Sequence, residues 1–336
     1  SIGNGHVQHT APFMGGGGGP AGWGGAIAVV PYEMYKIYGD KETFRRYLPK
    51  ILRYFDYLDS RSSGGLVCRE EEGGWCLGDW CPPEQITICE PFVNTALYVK
   101  QMMMTKEASE AIGESETAAM LEKRIEEKKQ AILNAYYSPQ TGSFIGDAQG
   151  ANSFAVDIGL GGERAFNNTK KKYDAADAFD TGIFGTDILT RVLFERGCAD
   201  TAFRLLTSTG KGSFYNMKKQ GATTIWENWD GERSHSHPMF GAVTRYLFSF
   251  ILGITQEKNS AGYEKIVIAP QIPDGLNRAS GHITTVRGEI AVSFIRTARE
   301  MDFYVTVPQK AWFTYGSDCE YELWEGENHI HIDFEE

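Results

Sequence analysis

At 336 residues, with 42% hydrophobic side chains, the chain can hold one large domain and a small one around a sizeable core. A formal net charge of -11 without any long Lys/Arg run argues against a phosphate-tracking surface, so nucleic acid is not expected as a partner. No apolar run reaches membrane-spanning length, so no membrane partner is expected, and a neutral, hydroxyl-rich substrate fits the composition better.

The chain opens on Ser1-Ile2-Gly3-Asn4-Gly5-His6, with neither an initiator Met nor a charged-then-apolar leader, and reads as a fragment. Gly15 to Gly19, Pro20 and then Gly22-Trp23-Gly24 suit a loop of close approach, with Trp23 as a flat apolar platform. From Ala26 the apolar residues Val30, Met34, Ile37 and Tyr38 recur at helical spacing. Gly39 ends this helix and Asp40 caps a second, which carries Phe44, Leu48, Ile51, Leu52 and Phe55 on one face. So short a join makes the two helices antiparallel. The pairing recurs at 92–104 with 116–136 and at 186–196 with 200–206, and a last helix is expected over 240–252. The pattern predicts a mainly α protein, an (α/α) toroid of helical hairpins with its site in the long loops at one end. About eight helices are legible, fewer than the twelve of six hairpins, so the ring is expected to be incomplete at its N-terminal side. Apolar helix faces would then be exposed and could favour a homo-oligomer.

Between the pairs, Gly78-Asp79-Trp80 sets a carboxylate beside an indole, a pair suited to sugar hydroxyls and C–H faces, whereas Glu70 to Glu72 read as a solvated turn. Asp147 reads as a helix cap. Six cysteines are spread without a Cys-x-x-Cys pair or a compact framework. They read as reduced packing thiols, which favours a cytoplasmic setting, and neither a metal nor a cofactor is expected. After Tyr263 the period changes to two, at Ile266/Ile268, Ile290/Val292/Phe294, Phe303/Val305/Val307 and Ile330/Ile332/Phe334. This predicts a small antiparallel β-domain, a sandwich over 259–336, following a helical domain over 1–258.

The stretch with the most chemistry is Gly221-Ala222-Thr223-Thr224-Ile225-Trp226-Glu227-Asn228-Trp229-Asp230-Gly231. Glu227 lies between two indoles in a loop, an arrangement suited to glycosidic cleavage: the carboxylate can act as base or nucleophile and Trp226 and Trp229 can hold a sugar. The alternative is that both indoles are core rings. Together with Ser234-His235-Ser236-His237-Pro238-Met239-Phe240-Gly241-Ala242-Val243, the glycine run before Trp23, Gly78-Asp79-Trp80 and Thr181-Gly182-Ile183-Phe184-Gly185-Thr186, this stretch resembles the bacterial α-L-rhamnosidase catalytic domain of glycoside hydrolase family 78. The motifs occur in the family's order, from about the tenth residue to Pro270.

The resemblance implies an inverting glycosidase that releases terminal α-L-rhamnose from a rhamnose-containing glycoside or oligosaccharide. It implies Glu227 as general base, with Trp23, Asp79, Trp80, Trp226, Trp229 and His237 binding substrate. Asp79 and then Asp180 are the alternatives to Glu227. The family's general acid lies in an Arg-Asp-Glu-Arg-x-x-Trp-x-Gly-Asp motif that this sequence lacks, so the acid is expected upstream of it, and Gly25 and Ser236 stand where Asp and Asn are usual. A glycosidase of the same barrel with another sugar specificity, or a fragment that binds carbohydrate without turnover, are the other readings.

Overall fold

Helical hairpins dominate the computed structural model, which describes residues 3–10, 21–69, 78–317 and 319–334. The glycine run before Trp23, Glu70 to Glu72 and Cys76 lie outside the described residues. Helices α1 (Ala26–Tyr38) and α2 (Lys41–Ser60) form the first hairpin, α3 (Glu90–Ile112) and α4 (Ser115–Tyr136) the second, α5 (Ala151–Asp157) and α6 (Gly162–Asp174) the third, and α7 (Ile183–Glu195) and α8 (Ala199–Leu206) the fourth. Gly39 ends α1 in the left-handed region at φ 72°, and the Asp40 carboxylate accepts from the Thr43 amide at 2.9 Å, so the first join follows the capping signals in the sequence. The α2 face bearing Phe44, Leu48, Ile51 and Phe55 is buried, each side chain stabilising the packed state by about 1.5–3 kcal/mol relative to exposure.

The first helix of each hairpin lines the interior of the ring. Tyr32 and Lys36 of α1 reach Glu107 of α3, Lys100 of α3 and Arg191 of α7 both pair with Asp157 of α5, and Phe194 of α7 stacks on Phe250. The inner helices therefore run in one direction, with their N-terminal ends around one mouth. A short helix α9 (Phe214–Lys219) precedes the long loop carrying Glu227. The last segment is not the regular helix expected: it is 3-10 over Pro238–Val243, α over Thr244–Tyr246 and π over Leu247–Ile251. Among the described residues the ring thus has four hairpins and a closing segment, fewer than six. Val30 of α1 is 56% exposed and Leu247 of the closing segment is exposed too, apolar residues on helices that line the ring.

Two-residue ribbons, β1 (Ser62–Ser63) with β2 (Leu66–Val67) and β3 (Tyr137–Ser138) with β4 (Ser143–Phe144), decorate the helical part. The C-terminal region is built from β5 (Ile254–Gln256), β6 (Ile266–Ile268), β7 (Arg278–Thr285), β8 (Gly288–Arg296), β9 (Glu300–Val307), β10 (Ala311–Tyr315), β11 (Cys319–Leu323) and β12 (Gly326–Asp333). They form two four-stranded sheets, ordered β11-β10-β6-β5 and β12-β9-β8-β7, whose inner faces meet through Phe303 and Phe313 at 4.9 Å between ring centres. All pairings within these sheets are antiparallel except β10 with β6, which is parallel. Strand β5 lies on the helical side of the boundary read from the sequence. Gly253 makes that turn possible: it sits at φ 69°, and a Cβ there would approach the Pro270 nitrogen to 2.2 Å. The sheets are tied to the C-terminal turn of α1, where the Lys36 ammonium donates to the Lys258 and Ser260 carbonyls, both at 2.9 Å. They therefore occupy the end of the ring opposite the mouth.

Candidate functional site

At the mouth, Trp23 stands just before α1 and packs against Phe184 in the first turn of α7, with 4.7 Å between ring centres. Below them a cavity of ≈ 290 Å³ runs between the inner helices and is lined by Trp23, Phe154, Phe184 and Met239 among others. Charged groups form its floor. Asp157 pairs with Lys100 and Arg191 at 2.8 Å each, and Asp187 accepts from Tyr246 at 2.7 Å and from Arg245. Glu33 also faces this space; burial pushes its carboxyl up from the ordinary value, against the opposing pull of Arg245 and Arg191.

Glu227 is presented by a folded-back loop. Its amide donates to the Ser234 carbonyl at 2.8 Å and the His237 amide donates to the Ile225 carbonyl at 2.9 Å, so the two limbs pair much as strands do, with Gly231 at φ 78° in the bend between them. One Glu227 oxygen accepts from the Trp80 indole Nε1 at 3.1 Å and the other from the Ser234 amide at 3.3 Å. Trp80 is fixed in turn, because its carbonyl accepts from the Ile183 amide at 2.7 Å. The half-buried carboxylate is therefore joined through Trp80 to the α7 turn that carries Phe184. It faces Trp80 and not the sheets. Burial, followed by the charge of Glu227, pushes the neighbouring Cys81 thiol up to about 12.

The expected substrate-binding residues divide into two groups. Trp23, Trp80 and His237 are half-buried around the mouth; His237 has a buried Nδ1 without a hydrogen-bond partner among the described residues, and Trp80 has the Arg233 guanidinium 4.8 Å from its ring centre. Trp226 and Trp229 are buried and have the character of core rings, the alternative weighed from the sequence. His235 stacks on Trp226 at 4.5 Å, while Trp229 is 1% exposed, donates Nε1 to the Thr181 carbonyl at 3.0 Å and packs among Phe179, Phe214 and Phe240.

Asp79 differs most from expectation. It is fully buried, and its two oxygens accept from the Gly182 amide at 2.7 Å and the Gly185 amide at 2.9 Å, so it caps α7 instead of meeting a sugar. A Cβ at Gly185 would lie 2.5 Å from this carboxylate, which explains the glycine. Burial pushes the Asp79 carboxyl up to about 7, although the Gly185 and Gly182 amides pull the other way. Because the folded state then binds this proton more tightly than the unfolded state, its contribution is greatest below about pH 4, the unfolded value. That contribution is lost as pH rises through about 7. Denaturant titrations across pH 4–8 should show this decline, and Asp79→Asn should flatten it; an unchanged slope in the variant would remove Asp79 as its source. Asp180, the other alternative base, is engaged by the Tyr173 hydroxyl at 2.5 Å and Lys172 at 2.8 Å.

Several contributors carried no signal in the sequence. Arg233 is a lone cation in a polar loop, and His235 falls at a position of its motif where the family's pattern has no histidine. The loop 145–150 holds Ile145, Asp147 and Gln149 at positive φ, and Gln149 binds the Thr87 and Ile88 amides at 2.8 and 3.1 Å. Asp147 caps α5 through the Asn152 amide at 3.0 Å, as expected. Among the described residues, Cys68, Cys81, Cys89, Cys198 and Cys319 are free thiols.

Comparison with known proteins adds a pattern of relatives. Residues 2–251 match the bacterial alpha-L-rhamnosidase 6 hairpin glycosidase domain, and residues 253–313 the bacterial alpha-L-rhamnosidase C-terminal domain. An alpha-L-rhamnosidase of Alteromonas sp. (strain LOR) is 26% identical over 314 residues, covering 86% of this chain and 33% of the relative. One from Streptomyces avermitilis is 28% identical over 305 residues, covering 86% and 28%. The crystal structure of Streptomyces avermitilis alpha-L-rhamnosidase complexed with L-rhamnose superposes with a TM-score of 0.84 at 22% identity, covering 98% of this chain and 35% of that one. The chain therefore spans about a third of the length of these relatives.

Proposed function

The chain belongs to the bacterial alpha-L-rhamnosidase six-hairpin glycosidase family, and from that premise we propose that it carries the general-base side of an inverting site that cleaves α-L-rhamnosides. The observation that supports this most is the Glu227 carboxylate held by the Trp80 indole at 3.1 Å beside the mouth of the ring. In this mechanism Glu227 takes a proton from water as the water oxygen bonds to the anomeric carbon, and the glycosidic C–O bond breaks on the opposite face. The leaving oxygen receives its proton from a second carboxyl supplied outside this sequence, since the acid motif that the resemblance implies does not occur in it. Trp23 offers its face to the sugar, and the half-buried His237 ring is the candidate partner for a hydroxyl. Trp80 aims the base. Asp79, Trp226 and Trp229 act one layer behind, keeping the loop and the α7 turn in place.

Leaving-group dependence tests this assignment. Dinitrophenyl α-L-rhamnoside releases a phenolate stable without protonation, so it requires the base alone, whereas a methyl α-L-rhamnoside requires the acid as well. The chain should hydrolyse the first, with β-L-rhamnose as the initial product by NMR, and leave the second almost untouched. First-formed α-L-rhamnose would refute inversion, and equal rates on both substrates would place an acid within this chain.

A further inference from the structure

The outer face of the β12-β9-β8-β7 sheet carries a trough of ≈ 710 Å³, open to solvent and in the range of about 300–1,000 Å³ typical of ligand sites. Register explains its shape. Ser280 of β7 lies opposite Ser293 of β8, Ser293 opposite Tyr304 of β9, and Tyr304 opposite His329 of β12. In the adjoining row Ala291 separates His282 from Thr306. Ser280 of β7 with Ala291 and Ser293 of β8 thus form a floor of small side chains, and Tyr304 and His329 rise beside it as a wall. Tyr304 is 49% exposed.

The wall is set in advance. The Tyr304 and His329 rings lie 4.7 Å apart and 8° from parallel, and Asp302 holds His329 through a 2.7 Å hydrogen bond to Nε2. His329 supports Tyr304 from the β12 side, which leaves the other face of the tyrosine overlooking Ser293 and Ser280. An exposed aromatic face held rigid above a floor of hydroxyls contributes nothing to the core, whose side chains Val292, Phe294, Phe303 and Val305 point the other way. Glu289 and Glu327 stand at the rim and no Lys or Arg lines the trough, so anionic ligands are disfavoured.

We propose that this trough is a second, non-catalytic binding site for neutral oligosaccharide, in which Tyr304 stacks on a sugar's C–H face while Ser280, Ser293 and the rim carboxylates bind its hydroxyls. Its chemistry is independent of Glu227, because the sheets are fixed to the opposite end of the ring by Lys36 and the trough shares no residue with the mouth. A glycan held here stays near the protein between cleavage events, which raises the effective concentration of its ends.

Hydrogen–deuterium exchange of the full chain can locate the site. The probes are neutral tetrasaccharides of rhamnose, glucose and galactose, and an oligogalacturonate of equal length. At least one neutral probe should slow exchange in β7, β8 and β9, and the uronate should not. Tyr304→Ala should weaken that protection about tenfold, Tyr304→Phe should retain it, and Ser293→Trp, which fills the trough, should abolish it. Hydrolysis of dinitrophenyl α-L-rhamnoside should be unchanged in all three variants. Protection that appears only at the mouth, persists in both Tyr304→Ala and Ser293→Trp, or arises from protein concentration alone through self-association would overturn the proposal. Protection of the sheets in a chain that hydrolyses nothing would instead overturn the catalytic assignment and leave this one standing.

Discussion

Glu227→Gln is expected to reduce turnover of dinitrophenyl α-L-rhamnoside by about two to four orders of magnitude, the scale of a lost general base. The substitution preserves shape. The amide keeps an oxygen for the Trp80 indole and gives up only the 3.3 Å contact with the Ser234 amide, so the loop should hold its place. Affinity for rhamnose should persist, because Trp23 and His237 are untouched, and the loss should fall on kcat more than on KM. Azide gives the sharper result. As an anion it needs no base, and in the Gln variant it should restore release of dinitrophenolate while forming the β-L-rhamnosyl azide. Near-normal turnover in the variant, or an azide product of retained configuration, would end the assignment of Glu227 as base.

Trp229→Ala is expected to destabilise the fold by about 3–5 kcal/mol, the usual cost of deleting a large buried ring. The ring is 1% exposed, lies 4.2 Å from Phe240 and 5.4 Å from Phe214 between ring centres, and donates its only proton to the Thr181 carbonyl. Truncation leaves a cavity and orphans that carbonyl. Trp229→Phe should recover part of the loss by refilling the space without the hydrogen bond. Trp23→Ala, in contrast, should melt close to the parent and lose sugar affinity. Denaturant titration resolves the difference, and a cost below about 1 kcal/mol for Trp229→Ala would return this indole to the candidate sugar platforms.

These variants also mark where the sequence is legible. Helices α1 and α2 can be read because every signal agrees: helical spacing, a glycine stop and an aspartate cap with its Thr43 partner. The hairpin of α5 and α6 is hidden, since Ala151–Asp157 is short and small-residue rich and Gly162–Asp174 is mostly polar, its buried face holding only Phe166 and Tyr173 as large apolar side chains. The closing segment has an apolar helical pattern, yet its hydrogen bonds pass through 3-10 and π geometry, which side-chain spacing does not report. Within the site, Glu227, Trp80 and Trp23 announce themselves by residue type in glycine-rich loops. Asp79 does too, but its role lies with the amides of Gly182 and Gly185, and a backbone amide leaves no trace in sequence. Trp226 and Trp229 look alike in one dimension, and only packing separates buried rings such as these from an indole at the mouth.

The pairing of distant segments at the mouth has a bearing on how the chain reaches this state. Asp79 binds amides 103 and 106 residues away, and Trp80 meets Glu227 across 147 residues, whereas each hairpin needs only neighbouring helices to close. Long loops close at greater entropic cost, so local hairpins are favoured to form early and these contacts late. Helical ellipticity should therefore return in refolding before hydrolytic competence does. A partly folded chain would carry most of its helices and none of its chemistry, which makes the base and its indole a natural checkpoint on completion of the fold.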